Sequence, residues 1–172
     1  MRTFFTSDTH FGHGNIIQYC NRPFKDLDSM NETMIRNWNE VVKPDDLVFF
    51  LGDFCFKNSP GGKKGEGVNE VSDYWRKQLN GDIIFIKGNH DKNNTTKSKI
   101  TSCVINMGGE DMFLVHNPED YNHKYRINLV GHVHEKWKTK RIGNNILINV
   151  GVDVWDFRPV AFDKLYNLIK KV

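Results

Sequence analysis

Five short polar clusters hold most of the side chains in this 172-residue sequence that could bind a metal ion. They are Asp8-Thr9-His10, Gly52-Asp53, Gly88-Asn89-His90-Asp91, His116-Asn117 and Gly131-His132-Val133-His134. Each follows an apolar run, and five of the seven histidines fall inside them. Asp8 and His10 are two residues apart, as are His132 and His134, so on extended chain each pair shares a face and can approach one ion together. Taken singly, Asp-x-His is commonly a turn, Gly-Asp is ordinary turn chemistry, and two alternate histidines can be half-exposed strand residues. Gly88 to Asp91 is harder to explain by packing, and the conjunction of all five points to a metal centre. Imidazole combined with carboxylate and amide oxygen suits Mn, Fe, Zn, Co or Ni better than Ca or Mg. The donors outnumber the places around one tetrahedral ion. Two divalent transition-metal ions are therefore expected, Mn first among Mn, Fe, Zn, Ni and Co, with a carboxylate able to bridge them.

The clusters need elements to bring them together. Residues 2–7 are rich in aromatic and β-branched types and predict a strand ending at Asp8. A helix is expected over 28–42, with Ser29 and Glu32 as a capping box and Met30, Met34, Trp38, Val41 and Val42 as its apolar face. Pro44-Asp45 stops it. The continuous apolar runs 47–51 and 83–86 suit strands buried on both faces. Between them, 57–67 reads as a flexible Gly- and Lys-rich loop, and 69–79 as a helix with Val71, Trp75 and Leu79 on one side. Residues 92–99 read as a polar, mobile segment. Further strands are expected near 100–106, 112–115, 127–130 and 146–150, and a last helix capped by Asp163 runs to Lys171. This is α/β without strict βαβ alternation, so helices cover the outer faces of the sheets. Strands of common orientation would gather the clusters beyond their C-terminal ends, the usual ligand crevice of α/β folds.

The whole chain sets outer bounds. With 38% hydrophobic and 26% charged residues, it has a soluble globular profile, expected to form one domain over 1–172. No apolar run approaches the roughly 20 residues of a membrane span, and the first eight residues do not resemble a secretory leader. Cys20, Cys55 and Cys103 form no CxxC pair and suit reduced thiols in the cytoplasm. The net charge of +3 is compatible with a phosphate-bearing substrate without requiring one.

The ordered set D-x-H, G-D, G-N-H-D, H, G-H-x-H, running from Asp8 to His134, resembles the calcineurin-like metallophosphoesterase superfamily. Asn149-Val150-Gly151 adds the strand-end Asn-x-Gly of its small members. The resemblance implies a four-layer α/β/β/α sandwich of two packed mixed sheets flanked by helices. It implies a phosphoesterase in which Asp8, His10 and His134 hold one ion, Asp53 bridges, and Asn89, His116 and His132 hold the second. It also implies that His90 faces the scissile phosphate and serves the leaving oxygen, that Asp91 orients the His90 imidazole, and that a hydroxide shared by the two ions is the nucleophile. The G-D motif departs from the longer G-D-x-x-D, since Phe56 holds the last place and the following arginine is missing. This argues against a protein serine/threonine phosphatase. Ser7 to His13, Asn21 to Phe24 and Trp155 to Pro159 narrow the likeness to small bacterial and phage-encoded phosphoesterases. They single out His13 and Arg22 as candidates at the cleft, Arg22 with a fork of donors for phosphate. The alternatives are a loop-bracing hydrogen bond for His13 and a surface charge for Arg22.

The expected substrate is a phosphate ester, first a phosphodiester of small or cyclic nucleotides. A nuclease or a phosphomonoesterase is the alternative, and a non-catalytic metal-binding scaffold ranks last. Lys57, Lys63 and Lys64, Lys92, Lys97 and Lys99, and Lys136, Lys138, Lys140 and Arg141 around Trp137 could track a nucleic-acid backbone. A homodimer is left open, and no membrane partner is expected.

Overall fold

Three runs of large apolar residues, β1 (Thr3–Thr6), β2 (Leu47–Leu51) and β3 (Asp82–Ile86), lie parallel and carry the first sheet. The computed structural model describes residues 1–56, 71–91 and 96–171. The loop expected over 57–67, the start of the helix expected over 69–79, and residues 92–95 lie outside them. A short β9 (Val160–Ala161) pairs antiparallel with β1, giving the order β3-β2-β1-β9. The second sheet has the order β4-β5-β6-β8-β7, built from β4 (Ser102–Met107), β5 (Glu110–Val115), β6 (Ile127–Val130), β7 (Thr139–Ile142) and β8 (Asn145–Asn149). Its middle strands β5, β6 and β8 are parallel, and the edges β4 and β7 are antiparallel.

Alternation decides which side chains go where. Phe4, Val48 and Phe50 face Met30, Met34 and Trp38 of α2 (Leu27–Val41), with Ile16 of α1 (Ile16–Tyr19) and Trp75 of α3 (Ser72–Arg76) in the same cluster. Phe5, Phe49, Leu51 and Ile86 point the other way, into the core shared with Met112, Leu114, Ile127, Leu129, Ile146 and Ile148. Leu165 and Ile169 of α4 (Phe162–Ile169) join that core. The protein is thus two packed mixed sheets flanked by helices. On the outer face of the second sheet the covering chain is loop and one 3-10 turn (Pro118–Asp120). Buried Asn128 and Asn145 hold it there, through Asn122 and Tyr125 and through His123 and Tyr125.

Three local expectations change. Asp26, not Ser29, caps α2: its carboxylate accepts from the Ser29 N–H at 2.8 Å, and Ser29 sits at the third helical position. Asp163 lies in the first turn of α4, whose cap residue is Ala161. The basic stretch that ends at Arg141 contains β7, an edge strand whose Lys140 and Arg141 stay exposed. Charged residues on an edge discourage pairing with other chains, and they also hide the strand pattern. Among the described residues, all three cysteines are free, and no helix is long and apolar enough to cross a membrane.

Two predictions follow from this packing. Phe50 is fully buried and packs its ring against Trp38, Phe54 and Phe85. Phe50→Ala should cost about 3–5 kcal/mol in urea unfolding. Asp46 ties the starts of β1 and β2 together, accepting from Arg2 N and Nη2, each at 2.7 Å, and from Lys43 N at 2.9 Å. The Arg2 side-chain hydrogen bond, aided by those backbone N–H groups and opposed by burial, brings its pKa from 3.8 down to about 2. A depressed carboxylate stabilises the fold above its unfolded pKa, and that stability is lost as the pH falls through the folded value. Asp46→Asn should therefore lower the urea midpoint at pH 7, and the gap from the native sequence should close as pH falls from 3.8 through about 2.

Candidate metal centre

The ends of β1, β2, β3, β5 and β6 release their clusters at one end of the sandwich. The segments after β1 and β2 run side by side, through Asp8 N to Gly52 O at 3.0 Å, His10 N to Asp53 O at 3.1 Å and Phe11 N to Phe54 O at 3.0 Å. The two sheets meet where Ser7 bridges Gly151 and where the His132 N–H donates to Asp8 Oδ2 at 2.9 Å. Two groups of ligand atoms form there: Asp8, His10 and His134, and Asp53, His116 and His132. Within each group the atoms lie within 4.8 Å of one another. Asn89 Oδ1 joins the second group, 2.9 Å from both His116 Nε2 and His132 Nδ1. The expected ligands Asp8, His10, Asp53, Asn89, His116, His132 and His134 are therefore all brought together.

The local chemistry fits cations. Asp8 Oδ2 accepts from Ser7 Oγ and His132 N, and Asp53 Oδ1 accepts from His90 N. Among the described residues, their other oxygens, Asp8 Oδ1 and Asp53 Oδ2, and His10 Nε2 are buried without a well-formed hydrogen bond; Asp53 Oδ2 has only His116 Nε2 at 3.3 Å and His10 Nε2 at 3.6 Å beside it. Such orphaned groups are costly unless something charged or polar meets them. His116 shows the requirement plainly. Its Nδ1 lies 2.6 Å from Leu51 O, a carbonyl that can only accept, so Nδ1 carries the proton. Its Nε2 then faces two acceptors, Asn89 Oδ1 at 2.9 Å and Asp53 Oδ2 at 3.3 Å. Only a second proton or a cation makes that arrangement attractive. Metal-bound imidazoles typically donate their other N–H to a carbonyl or carboxylate. Spacings of about 3 Å between donors are those subtended by bonds of ~2.0–2.2 Å.

Electrostatics agree. Burial works to lower the His116 pKa, but the Asp53 hydrogen bond and the Asp8 and Asp53 charges bring it up to about 9. Burial likewise opposes protonation of His134, and Asp153, Cys20 and Asp8 raise it to about 10. Burial pushes Asp8 up. In Asp53 burial is outweighed by His116 and His10, which hold it down. Burial lowers the other two imidazoles, His10 and His132, and so favours their neutral, ligating form.

Two features of this site were not anticipated from sequence. Asp8, His10, Asp53, His132 and His134 all have left-handed backbone, with φ between 49° and 69°. Asp, Asn and His are the non-glycine types that tolerate it best, at about 1 kcal/mol or more each. Asp153 is the other. Its carboxylate holds Arg22 through Nε at 2.8 Å and Nη2 at 2.9 Å, and its Oδ2 lies 3.2 Å from His134 Nδ1. That leaves Nε2 as the His134 atom available to a cation. Asp153 stands in a Val-Asp-Val stretch with no motif to mark it. The glycines of the motifs are spacers: a Cβ on Gly88 would lie 2.2 Å from Asp53 Oδ1, and one on Gly131 would lie 2.6 Å from Asp8 Oδ2.

Two expected roles are corrected. Arg22 does not offer its donors to a phosphate. Its guanidinium is buried, and besides Asp153 it donates to Thr9 O at 3.0 Å and Asp8 O at 2.7 Å. Asp91 does not orient the His90 imidazole. Its two oxygens are taken by the N–H groups of Asp53, Phe54 and Gly88, so it braces the segments after β2 and β3. His90 is exposed, with its ring 5.6 Å from that of His10. His13 stacks on Phe56 at 4.4 Å and lines a cavity of about 280 Å³ together with His10, His90, His134, Tyr19 and Lys136.

Comparison with known proteins agrees with this geometry. The calcineurin-like phosphoesterase superfamily domain matches residues 1–158. An uncharacterized protein of Methanocaldococcus jannaschii, MJ1445, is 39% identical, covering 99% of this chain and 92% of that one. The Gene 66 protein of Mycobacterium phage L5 is 27% identical over 99% of this chain and 95% of its own. Among solved structures, the protein of unknown function AQ665 from Aquifex aeolicus superposes with a TM-score of 0.72 at 23% identity. It covers 97% of this chain and 98% of its own, a likeness of fold.

The buried Arg22–Asp153 pair can be tested separately from any activity. Arg22→Met strands the Asp153 carboxylate and should cost about 3–5 kcal/mol in chemical denaturation. Arg22→Lys should recover only part of this, because an ammonium cannot reproduce the forked contacts. Unchanged stability with a raised KM would instead restore Arg22 to the substrate.

Proposed function

The chain belongs to the calcineurin-like phosphoesterase superfamily, and from that premise we propose that it is a metal-dependent phosphodiesterase acting on small or cyclic nucleotides. One observation carries the reading: two adjoining groups of ligand side chains whose buried atoms Asp8 Oδ1, His10 Nε2 and Asp53 Oδ2 have, among the described residues, no hydrogen-bond partner. Asp8, His10 and His134 would hold one divalent ion. Asn89, His116 and His132 would hold a second, and Asp53 would be shared. Such ions, when bound, act as Lewis acids and lower the pKa of coordinated water toward ~7. Mn is favoured, with Fe, Zn, Ni and Co as alternatives.

The chain's own contribution is orientation and proton transfer. His90 stands at the open side of the group and would donate a proton to the departing ester oxygen. Its backbone N–H is fixed on Asp53 Oδ1, so the residue holds its place beside the shared carboxylate. Asp91 fixes the loop that presents it. The cavity beside His10 and His90 has an aromatic wall of His13 and Tyr19, and Tyr19 is 68% exposed. A base or nucleoside would lie there, with Lys136 near the phosphate. This favours nucleotide diesters over simple monoesters.

A nuclease gains less support. Of the basic stretch expected to face nucleic acid, Lys138 sits 3.8 Å above the Trp155 ring, and Trp137 packs with Val115, Val130 and Leu147. Trp137 is therefore half-buried in a small apolar cluster rather than presented for base stacking. Lys57, Lys63, Lys64 and Lys92 lie outside the described residues.

The experiment is hydrolysis of bis-p-nitrophenyl phosphate beside p-nitrophenyl phosphate, by protein stripped of metal and reloaded separately with Mn, Ni, Co, Zn or Mg. Metal-dependent preference for the diester is expected, and preference for the monoester would overturn the reading. Asp53→Asn should lose metal and activity together. His90→Gln should keep its metal content, measured by elemental analysis, while turnover falls by about 10²–10⁴-fold.

A further inference from the structure

A second cavity, of about 450 Å³, opens beside β9 and includes none of the candidate metal ligands. Arg2 and Phe4, at the start of β1, line it, whereas the metal side chains follow the end of that strand. Ligand cavities commonly fall within about 300–1,000 Å³. Five cationic side chains line it, Arg2, Lys43, Lys138, Arg158 and Lys164, beside the carboxylates Glu40 and Asp156. Arg2 is already committed to Asp46 and Lys43 donates to Glu40 O, which leaves Lys138, Arg158 and Lys164 for a ligand.

Three features distinguish it from ordinary basic surface. Arg158 Nε is buried and, among the described residues, has no hydrogen-bond partner. Arg158 Nη1 makes a long ion pair with the half-exposed Glu40, 3.8 Å from its Oε2. Second, the adjoining Asp156 and Phe157 both have φ of 54°, left-handed in succession and without glycine. Asn37 holds them by donating to both carbonyls at 3.4 Å. Strain of this kind persists where the surroundings over-determine it, and it concentrates at binding sites. Third, the Trp155 indole is pinned by Nε1 to Asn149 O at 2.8 Å, and its ring carries the Lys138 ammonium at 3.8 Å. A rigid aromatic wall thus stands beside a lysine and an under-used guanidinium. Guanidinium groups favour phosphate because their donors match its oxygens in pairs.

We propose that this cavity binds a small phosphate-bearing ligand, with the phosphate on Arg158 between Lys138 and Lys164 and the Trp155 ring at its flank. The proposal does not rest on the metal centre. It is tested on the metal-loaded full chain by titrating inorganic phosphate and, separately, AMP while following amide and indole NMR shifts. Saturable shifts at the Trp155 indole and the Arg158 and Ala161 amides are expected. Equal affinity for the two probes identifies phosphate alone as the ligand, and tighter AMP binding identifies a nucleotide against Trp155. Arg158→Gln should weaken these shifts about tenfold, the scale of one lost charge-assisted contact. Lys164→Gln should weaken them as well, and Glu40→Gln should strengthen them by removing a carboxylate. Shifts confined to residues around Asp8, Asp53 and His134, or a titration unchanged in both Arg158→Gln and Lys164→Gln, would overturn the proposal.

Discussion

The structure turns on two carboxylates, Asp8 and Asp53, removed almost wholly from water among imidazoles. Each has one oxygen satisfied by a backbone N–H and one that, among the described residues, accepts no well-formed hydrogen bond. Desolvating an ionised carboxylate costs several kcal/mol unless opposite charge repays it. A fold that needed only stability would have put apolar side chains here, since the two sheets pack well behind these residues. Instead the chain adds further costs at the same place, with left-handed backbone at Asp8, His10, Asp53, His132 and His134. The expense is concentrated where positive charge from outside the sequence can offset it.

The sheets make that concentration mechanically possible. Parallel strands deliver successive loops to one end without long crossovers at that end. β1, β2 and β3 bring Asp8, Asp53 and Asn89 from one sheet, and β5 and β6 bring His116 and His132 from the other. Backbone bonds then lock the loops, from Gly131 N to His116 O at 2.9 Å within the second sheet and from Val152 N to Ser7 O at 3.1 Å across the seam. Small residues are required there because side chains already fill the space; the carboxylate of Asp53 lies against the backbone of Gly88.

Much of this was legible in sequence, and the reasons differ from part to part. The buried strands were readable because parallel strands covered on both faces are continuous apolar runs, as in Leu47 to Leu51. The ligand set was readable because five clusters, most of them ordinary singly, recur one after another behind apolar runs. β7 was not, since three of its four residues are polar and its partner β8 supplies the order. Arg22 and Asp153 are 131 positions apart, and nothing local in either stretch announces the pair. Arg22 looked like a phosphate ligand because its residue type is right for that role; only burial and the carbonyls of Asp8 and Thr9 show that its donors are spent on the chain itself. Asp91 was misplaced for the same reason. Sequence adjacency suggested that it serves His90, whereas the tight turn aims its carboxylate back at the N–H groups of Asp53 and Gly88.

These two corrections separate holding from acting. Asp91 and the Arg22–Asp153 pair are buried and saturated, and each fixes a loop that bears ligands. Asp8, His10, Asp53 and His116 are buried as well but keep atoms unspent or opposed by like partners. Asn89 and His90 are exposed, and both come from the single loop after β3. The group therefore has an embedded floor and one open side, and the open side is the one with a free-standing imidazole. On the proposed reading a phosphate ester approaches from that side, where His90 stands with Tyr19 and Lys136. The same asymmetry explains why the floor can be strained and rigid while the residue assigned to proton transfer remains in contact with water.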